Sequence, residues 1–286
     1  MIGLTMVFST EILLKSFGSY LAAGSIAALN YALRVMFILV GLFGQAVGVA
    51  SYPYMAKLAA ENNVDELNHL LNGTLKFILL VLPVSTLFMA GAHEIILLLF
   101  QRGAFDAAAT DVTADILPFF MAGAFAFAAQ NLVSRGFYAT QNTLFPTVLS
   151  TTCVLLSIPV IYLFMRVFGA IGVAAGLSLS VILQCFVLYE SWSRKSGNTQ
   201  KQTVYLFLLK IVPVSLFTGL PLYVSAKLLR TAIAVSSDFI QALVVLSILS
   251  VECVALFFIA GIVFKIEEIP AFINRIYKRM ALWKKK

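Results

Sequence analysis

An all-α, polytopic membrane helix bundle with about eight transmembrane helices is the fold class this sequence predicts, and three observations lead to it. Of 286 residues, 61% are hydrophobic and only 12% are charged, whereas an ordinary soluble domain carries roughly a quarter charged residues. The apolar residues gather in runs of about twenty, the length that crosses a hydrocarbon core about 30 Å thick at about 1.5 Å rise per residue. None of these runs alternates apolar and polar residues as a membrane β-barrel strand would, so the backbone must satisfy its hydrogen bonds within helices.

The runs fall at 3–21, 28–52, 75–100, 116–137, 146–165, 170–189, 204–223 and 239–264. Between the second and third, residues 59–71 place Val64, Leu67 and Leu71 on one helical face, with Glu61, Asp65, Glu66 and Asn68 elsewhere. That pattern predicts a short helix lying at the membrane surface. The segment 191–203, SWSRKSGNTQKQT, is polar and contains glycine, so it reads as a linker. It divides a six-helix lobe, 1–190, from two additional helices, 204–264. The basic tail 265–286 carries Phe272, Ile276, Tyr277 and Trp283, which reads either as an interfacial anchor for anionic lipid or as a plain stop-transfer tail.

Twenty Lys and Arg against thirteen Asp and Glu give a net charge of +7, and the position of these charges explains them without nucleic acid. Most cluster in alternate loops, at 56–76, 134–145 and 190–210 and in the tail, whereas the other loops hold only Arg102, Arg166, Lys227 and Arg230. By the positive-inside rule both termini face the cytoplasm. The first run has no basic leader and meets Glu11 and Lys15 halfway, unlike a cleaved signal peptide. Apolar sequence directly after Met1 leads to the expectation that the chain is half of something larger.

Catalytic and metal chemistry find little support. There is no Walker loop, dinucleotide glycine triplet, HExxH or GxSxG motif, so the chain does not read as an enzyme and no cofactor is implied. Cys153, Cys185 and Cys253 lie inside apolar runs without CxxC spacing and read as small packing residues. His69 and His93 stand alone, so no metal site is expected. The pairs Gly44/Gly48 and Gly172/Gly176 have the small-xxx-small spacing that lets helix backbones approach. The polar cluster Gln130, Asn131, Ser134 and Arg135 closes the fourth run and reads as the approach to a connecting turn.

Ionisable side chains inside spans are costly and are therefore the candidates for function. Arg34 stands ten residues after Gly24 and nineteen before Pro53, deep in the second run. A guanidinium keeps its proton and offers a planar fork of donors, which suits phosphate or carboxylate in a medium of low dielectric. A structural salt bridge and snorkelling to the interface are the other readings. Glu11 and Lys15, four apart, either neutralise one another or leave Lys15 as a second cation beside Arg34. Glu252 has no cation within a helical turn, so it is either a proton- or ion-coupling group, as Glu11 could also be, or the partner of a lysine on another helix.

Three stretches carry a family resemblance. Residues 17–53, FGSYLAAGSIAALNYALRVMFILVGLFGQAVGVASYP, resemble the FASxLxxGSxxxLxYAxRLMxxPxGxxGxAxxTxxxP stretch of the MurJ/MviN lipid II flippases of the MOP exporter superfamily. LFQRGAFDAAAT and RGFYATQNTLFPT resemble that family's FxRGxFxxxxT and xxFYAxxDTxTPV signatures, in the same order. The chain departs from the pattern at Leu33 (acidic in the family), Leu39 (proline), Val49 (threonine) and Asn142 (aspartate).

The resemblance implies a fourteen-helix architecture, with two six-helix lobes across a central cavity and two further helices bordering a groove for the lipid tail. This chain looks like the second lobe with those two helices. The family's cavity arginine falls on Arg34. The implied activity is translocation of a lipid-linked anionic glycan precursor across the bacterial inner membrane by alternating access. The partners implied are that precursor, membrane lipids, and a missing first-lobe chain or a second copy of this one. Rival readings are an exporter of another lipid-linked oligosaccharide and a non-transporting scaffold or degenerate half-transporter.

Overall fold

The computed structural model describes residues 2–233 and 237–264, so the basic tail 265–286 lies outside the described residues. The described residues form helices joined by short turns. In order they are α1 (Ile2–Gly18), α2 (Ser25–Val40), a π-helical turn (Gly41–Gln45), α3 (Ala46–Ala60), α4 (Val64–Leu79), α5 (Val81–Ala90) and α6 (Ala92–Phe100). They continue with α7 (Ala107–Ala139), α8 (Leu144–Lys195), α9 (Lys201–Ala232) and α10 (Asp238–Val263).

Six helical stretches among the described residues are long and apolar enough to cross a membrane. One of them, α8, is a hairpin. Gly169 adopts φ 59° and ψ −132°, a backbone conformation that glycine reaches without steric penalty. The chain folds back there, bringing arm 144–168 against arm 170–195. A Cβ at Gly172 would collide with the Phe164 carbonyl, and one at Gly176 would stand 3.0 Å from the Ile161 Cα. Counting the two arms apart, and including the 17-residue α1, accounts for the eight apolar runs of the sequence.

The core is organised around α7. Leu117, Phe120, Met121, Ala124, Ala128, Leu132 and Phe137 are all buried, and α7 packs against α8, α2, α5 and α6. Small residues set the closest crossings. A Cβ at Gly44 would stand 2.8 Å from the Ala128 Cα, and one at Gly123 would stand 2.8 Å from the Ser178 Cβ. The glycine spacing seen in the sequence thus serves close helix packing.

Two local expectations are corrected. Residues 59–71 do not form a separate surface helix. Asn62 takes φ 52°, Asn63 caps the next helix through Glu66 N at 3.2 Å, and α4 runs unbroken into the third span. Leu67 and Leu71 are fully buried. The sequence misled because Asn68 and Asn72, which look like solvent-facing residues, are buried beside those leucines and are satisfied by hydrogen bonds to distant parts of the chain.

The second correction concerns 191–203. Its first five residues continue α8 through Lys195, and α9 begins at Lys201. Trp192, Ser193 and Asn198 are buried, so these three residues anchor an otherwise largely exposed segment to the bundle.

Turns 61–63, 140–143 and 196–200 lie at one end, called here the basic end because the Lys- and Arg-rich loops of the sequence map to it. The turns at 19–24, 101–106 and Gly169, and the end of α9 at Ala232, lie at the opposite end. At that opposite end Asp106 caps α7 through Ala109 N at 2.8 Å.

Candidate functional site: an open face carrying Arg34

Helix α2 has two unlike faces. Leu29, Ala32, Leu33, Val35, Met36, Leu39 and Val40 are buried, and Leu33 and Leu39, both departures from the family pattern, belong to this core side. Arg34 is on the other side and exposed. It lies nine residues into α2, roughly 14 Å along the helix. Its neighbours a turn or two away on that face include Asn30 and the apolar Ile38 and Leu42, which are 52% and 64% exposed. The guanidinium has no hydrogen bond or ion pair among the described residues. An intramembrane arginine without a carboxylate is expensive in hydrocarbon, so this geometry leaves a full set of donors for an external anion.

The other sequence candidates are placed as follows. Lys15 and Glu11 form an ion pair at 3.8 Å along α1, with side chains 60% and 40% exposed. Their charges largely cancel at that position. Glu252, on α10, accepts a hydrogen bond from Ser225 Oγ of α9 at 2.8 Å. It therefore meets a hydroxyl, not the lysine the sequence allowed, and it stands apart from Arg34 on the α9–α10 pair. Arg34, Lys15 and Glu11 belong to α1 and α2, which touch; Glu252 does not join them.

Sequence reasoning passed over a second cation on the same side of the bundle. The π-helical turn Gly41–Gln45 interrupts the α2–α3 helix, and such turns occur disproportionately at functional positions. It presents Gln45, whose Oε1 accepts from Arg135 Nη2 of α7 at 3.2 Å. The Arg135 side chain lies against Gly48, where an added Cβ would stand 3.1 Å from Nε. Among the described residues Arg135 has a neutral amide as its polar partner and no carboxylate. Gln45 follows Arg34 by eleven residues, roughly 16 Å along the helix. The signal in the sequence was Arg135 at the end of an apolar run four residues from Asn131; the connector reading hid it because its partner is 90 residues away.

Glu94 was also passed over, although it lies inside the third apolar run. It is 2% exposed and receives both Nε and Nη2 of Arg230 from α9, at 2.6 and 2.8 Å. Beside it His93 Nε2 is 3.2 Å from Asp111 Oδ1. These groups, with Gln101, Asp238 and Gln241, line a recess of about 320 Å³ at the opposite end.

A smaller cavity of about 130 Å³ lies between α1, α7 and the two arms of α8. Its lining includes Thr10, Tyr138, Ser150, Ser157 and Gln184. The Nε2 of Gln184 has no partner, which marks the cavity as suited to water. Arg34 is not part of its lining.

Comparison with known proteins gives a consistent result. A family model described as "Lipid II flippase MurJ" matches residues 1–244. A probable lipid II flippase MurJ from Buchnera aphidicola subsp. Baizongia pistaciae is 26% identical over 215 residues, covering 75% of this chain and 42% of that protein. One from Rhizobium tropici is 30% identical over 173 residues, covering 60% of this chain and 32% of that protein. Among solved structures, a lipid II flippase MurJ in an inward closed conformation superposes with a TM-score of 0.71 at 22% identity, over 93% of this chain and 53% of the other. An outward-facing MATE family multidrug transporter of the MOP superfamily shares the fold more loosely, with a TM-score of 0.58 at 15% identity. The chain thus spans about half the length, or less, of the lipid II flippases it matches.

Proposed function

We propose, from the premise that this chain belongs to the lipid II flippase MurJ family, that it supplies the second-lobe wall of a transporter for lipid-linked peptidoglycan precursor. The observation that carries this reading is Arg34: an exposed, carboxylate-free guanidinium on a membrane helix. The precursor's pyrophosphate is the kind of ligand that such a fork binds in bidentate fashion. Arg135 of α7, held at 3.2 Å by Gln45, which stands roughly 16 Å along the helical path from Arg34, would offer a second point of positive charge nearer the basic end. Lys15 has a smaller part, because Glu11 already compensates it. Glu252, held by Ser225, would tie α10 to α9, leaving ion or proton coupling to groups elsewhere.

A cavity has two walls. The exposed face of α1, α2 and α3 would be one of them, and a first-lobe chain or a second copy of this chain would build the other. In this reading residues 1–190 form the lobe, and 204–264 add the two helices that flank the lipid tail. The basic end faces the cytoplasm of a bacterial cell with both termini, and the lobes rock about the bound headgroup.

The test is complementation in a cell depleted of its own lipid II flippase, with this chain produced alone and beside a first-lobe chain. Arg34→Ala should abolish support of growth while membrane insertion is unchanged. Arg34→Lys keeps the charge but not the fork and should restore only part of it. Normal growth on Arg34→Ala would overturn the assignment. Translocation of labelled precursor in vesicles separates this substrate from another lipid-linked oligosaccharide.

A further inference from the structure

We infer that the α9–α10 pair is fastened to the six-helix lobe as one rigid body, so that the α9 seam stays closed when this chain changes conformation. The pair could have been an independently mobile appendage, since it follows a polar, glycine-containing segment. Three sets of contacts, at three depths of the bundle, argue otherwise.

At the basic end the 196–200 turn is bonded into α4 and α8. Asn72 and Asn198 exchange both side-chain hydrogen bonds, at 3.1 and 3.0 Å, and Tyr189 OH donates to Asn72 Oδ1 at 2.9 Å. Asn68 Oδ1 accepts from Trp192 Nε1 at 3.0 Å and Ser196 Oγ at 2.9 Å, while its Nδ2 donates to Ser196 O at 3.2 Å. Immediately beyond, Glu190 accepts from Lys201 Nζ at 2.7 Å and from Tyr205 OH at 3.2 Å, both on α9. A buried amide network in which every member is satisfied has one geometry and resists sliding.

In the middle of the bundle α5 and α9 touch closely. The hydroxyls of Thr86 and Thr218 are 3.4 Å apart and buried, and a Cβ at Gly219 would stand 3.1 Å from the Thr86 Cβ. At the opposite end Arg230 grips Glu94 with two bonds and the Ala90 carbonyl with a third, at 3.2 Å. Sliding α9 along α5 and α6 would strip the buried Glu94 carboxylate, 2% exposed, of its cation, which is unfavourable even though Arg230 itself reaches solvent. Helix α10 is then tied to α9 by Ser225 and Glu252, and by Gln241 Nε2 donating to the carbonyls of Arg230 and Ile233 at 3.0 and 2.7 Å.

The inference is independent of what is transported, and so is its test. In the full chain, with Cys153, Cys185 and Cys253 replaced by Ala, spin labels are placed on exposed residues of α9 and of the lobe. His69→Cys with Leu209→Cys reports the basic end, and Leu99→Cys with Leu228→Cys the opposite end. Pulsed dipolar distances are measured in lipid nanodiscs with and without a polyprenyl pyrophosphate. Each pair should give one narrow distribution that the lipid pyrophosphate does not shift. Glu94→Gln should broaden the 99/228 distribution and leave 69/209 narrow. A two-peaked or ligand-shifted distribution for either pair in the protein that retains Glu94 would overturn the inference. So would a 99/228 distance indifferent to both Glu94→Gln and Arg230→Lys, a milder change that keeps a cation at the seam.

Discussion

Arg34 and Arg230 are both guanidiniums carried by long apolar helices, yet the fold treats them oppositely. Arg230 meets Glu94 in a two-point ion pair, with the glutamate side chain 3% exposed. Arg34 meets no polar partner among the described residues, on a face where apolar side chains such as Leu42 are also left uncovered. An ion pair that is complete within the chain can stabilise a seam but has no capacity left for a ligand. An arginine left incomplete costs stability where it stands, and in the proposed reading an anion completes it. Partnership, more than the presence of a charge in a span, separates a fastening from a site.

The sharpest way to break this comparison is to exchange the expected effects. Arg34→Ala should abolish growth support in the depleted cell yet leave the thermal unfolding midpoint in detergent unchanged or raised, because no native contact is lost. Glu94→Gln should do the reverse in kind. Leaving Arg230 without its counter-charge should lower stability by about 3 kcal/mol, the lower part of the range for a broken buried pair because the arginine is partly exposed, as followed by Trp192 fluorescence. If Arg34→Ala destabilised and Glu94→Gln did not, the distinction drawn between the two arginines would fail.

Smaller changes sharpen the picture. Asn72→Leu removes the acceptor of Tyr189 and both bonds to Asn198, leaving buried polar groups unpaired, and should cost about 2 kcal/mol. Amide hydrogen exchange should then rise in 196–200 before it rises elsewhere. Gly48→Ala places a methyl group against Arg135 Nε and should displace it from Gln45. Stability should change by less than about 1 kcal/mol, while growth support weakens if Arg135 belongs to the transport path. The smallest effect belongs to Lys15→Ala. An exposed pair four residues apart is worth a few tenths of a kcal/mol at most, about 0.3, so its unfolding midpoint should match that of the unmodified chain.

Much of the architecture was legible in the amino-acid order because the bilayer imposes one demand that is local in sequence. Each span needs about twenty apolar residues whose backbone bonds close within the segment. That requirement fixed the number and approximate limits of the helices. It also made Arg34 conspicuous, since a charge in such a run is visible without knowing its surroundings. The glycine pairs at 44/48 and 172/176 announced close packing for the same reason: the absence of a side chain is a property of the residue itself.

What the sequence left undecided depends on partners far along the chain. Asn68 read as a surface residue, and Asn72 drew no notice, because the atoms that satisfy them, on Trp192, Ser196 and Asn198, lie more than a hundred residues away. Glu94 and Arg230 are separated by 136 residues, Gln45 and Arg135 by 90, and no periodicity connects either pair. Hydrophobicity is carried by each residue, and so it can be summed along a chain. Hydrogen bonds and ion pairs act over a few ångströms between specific atoms, and only the folded bundle decided which polar groups meet and that Arg34 meets none among the described residues.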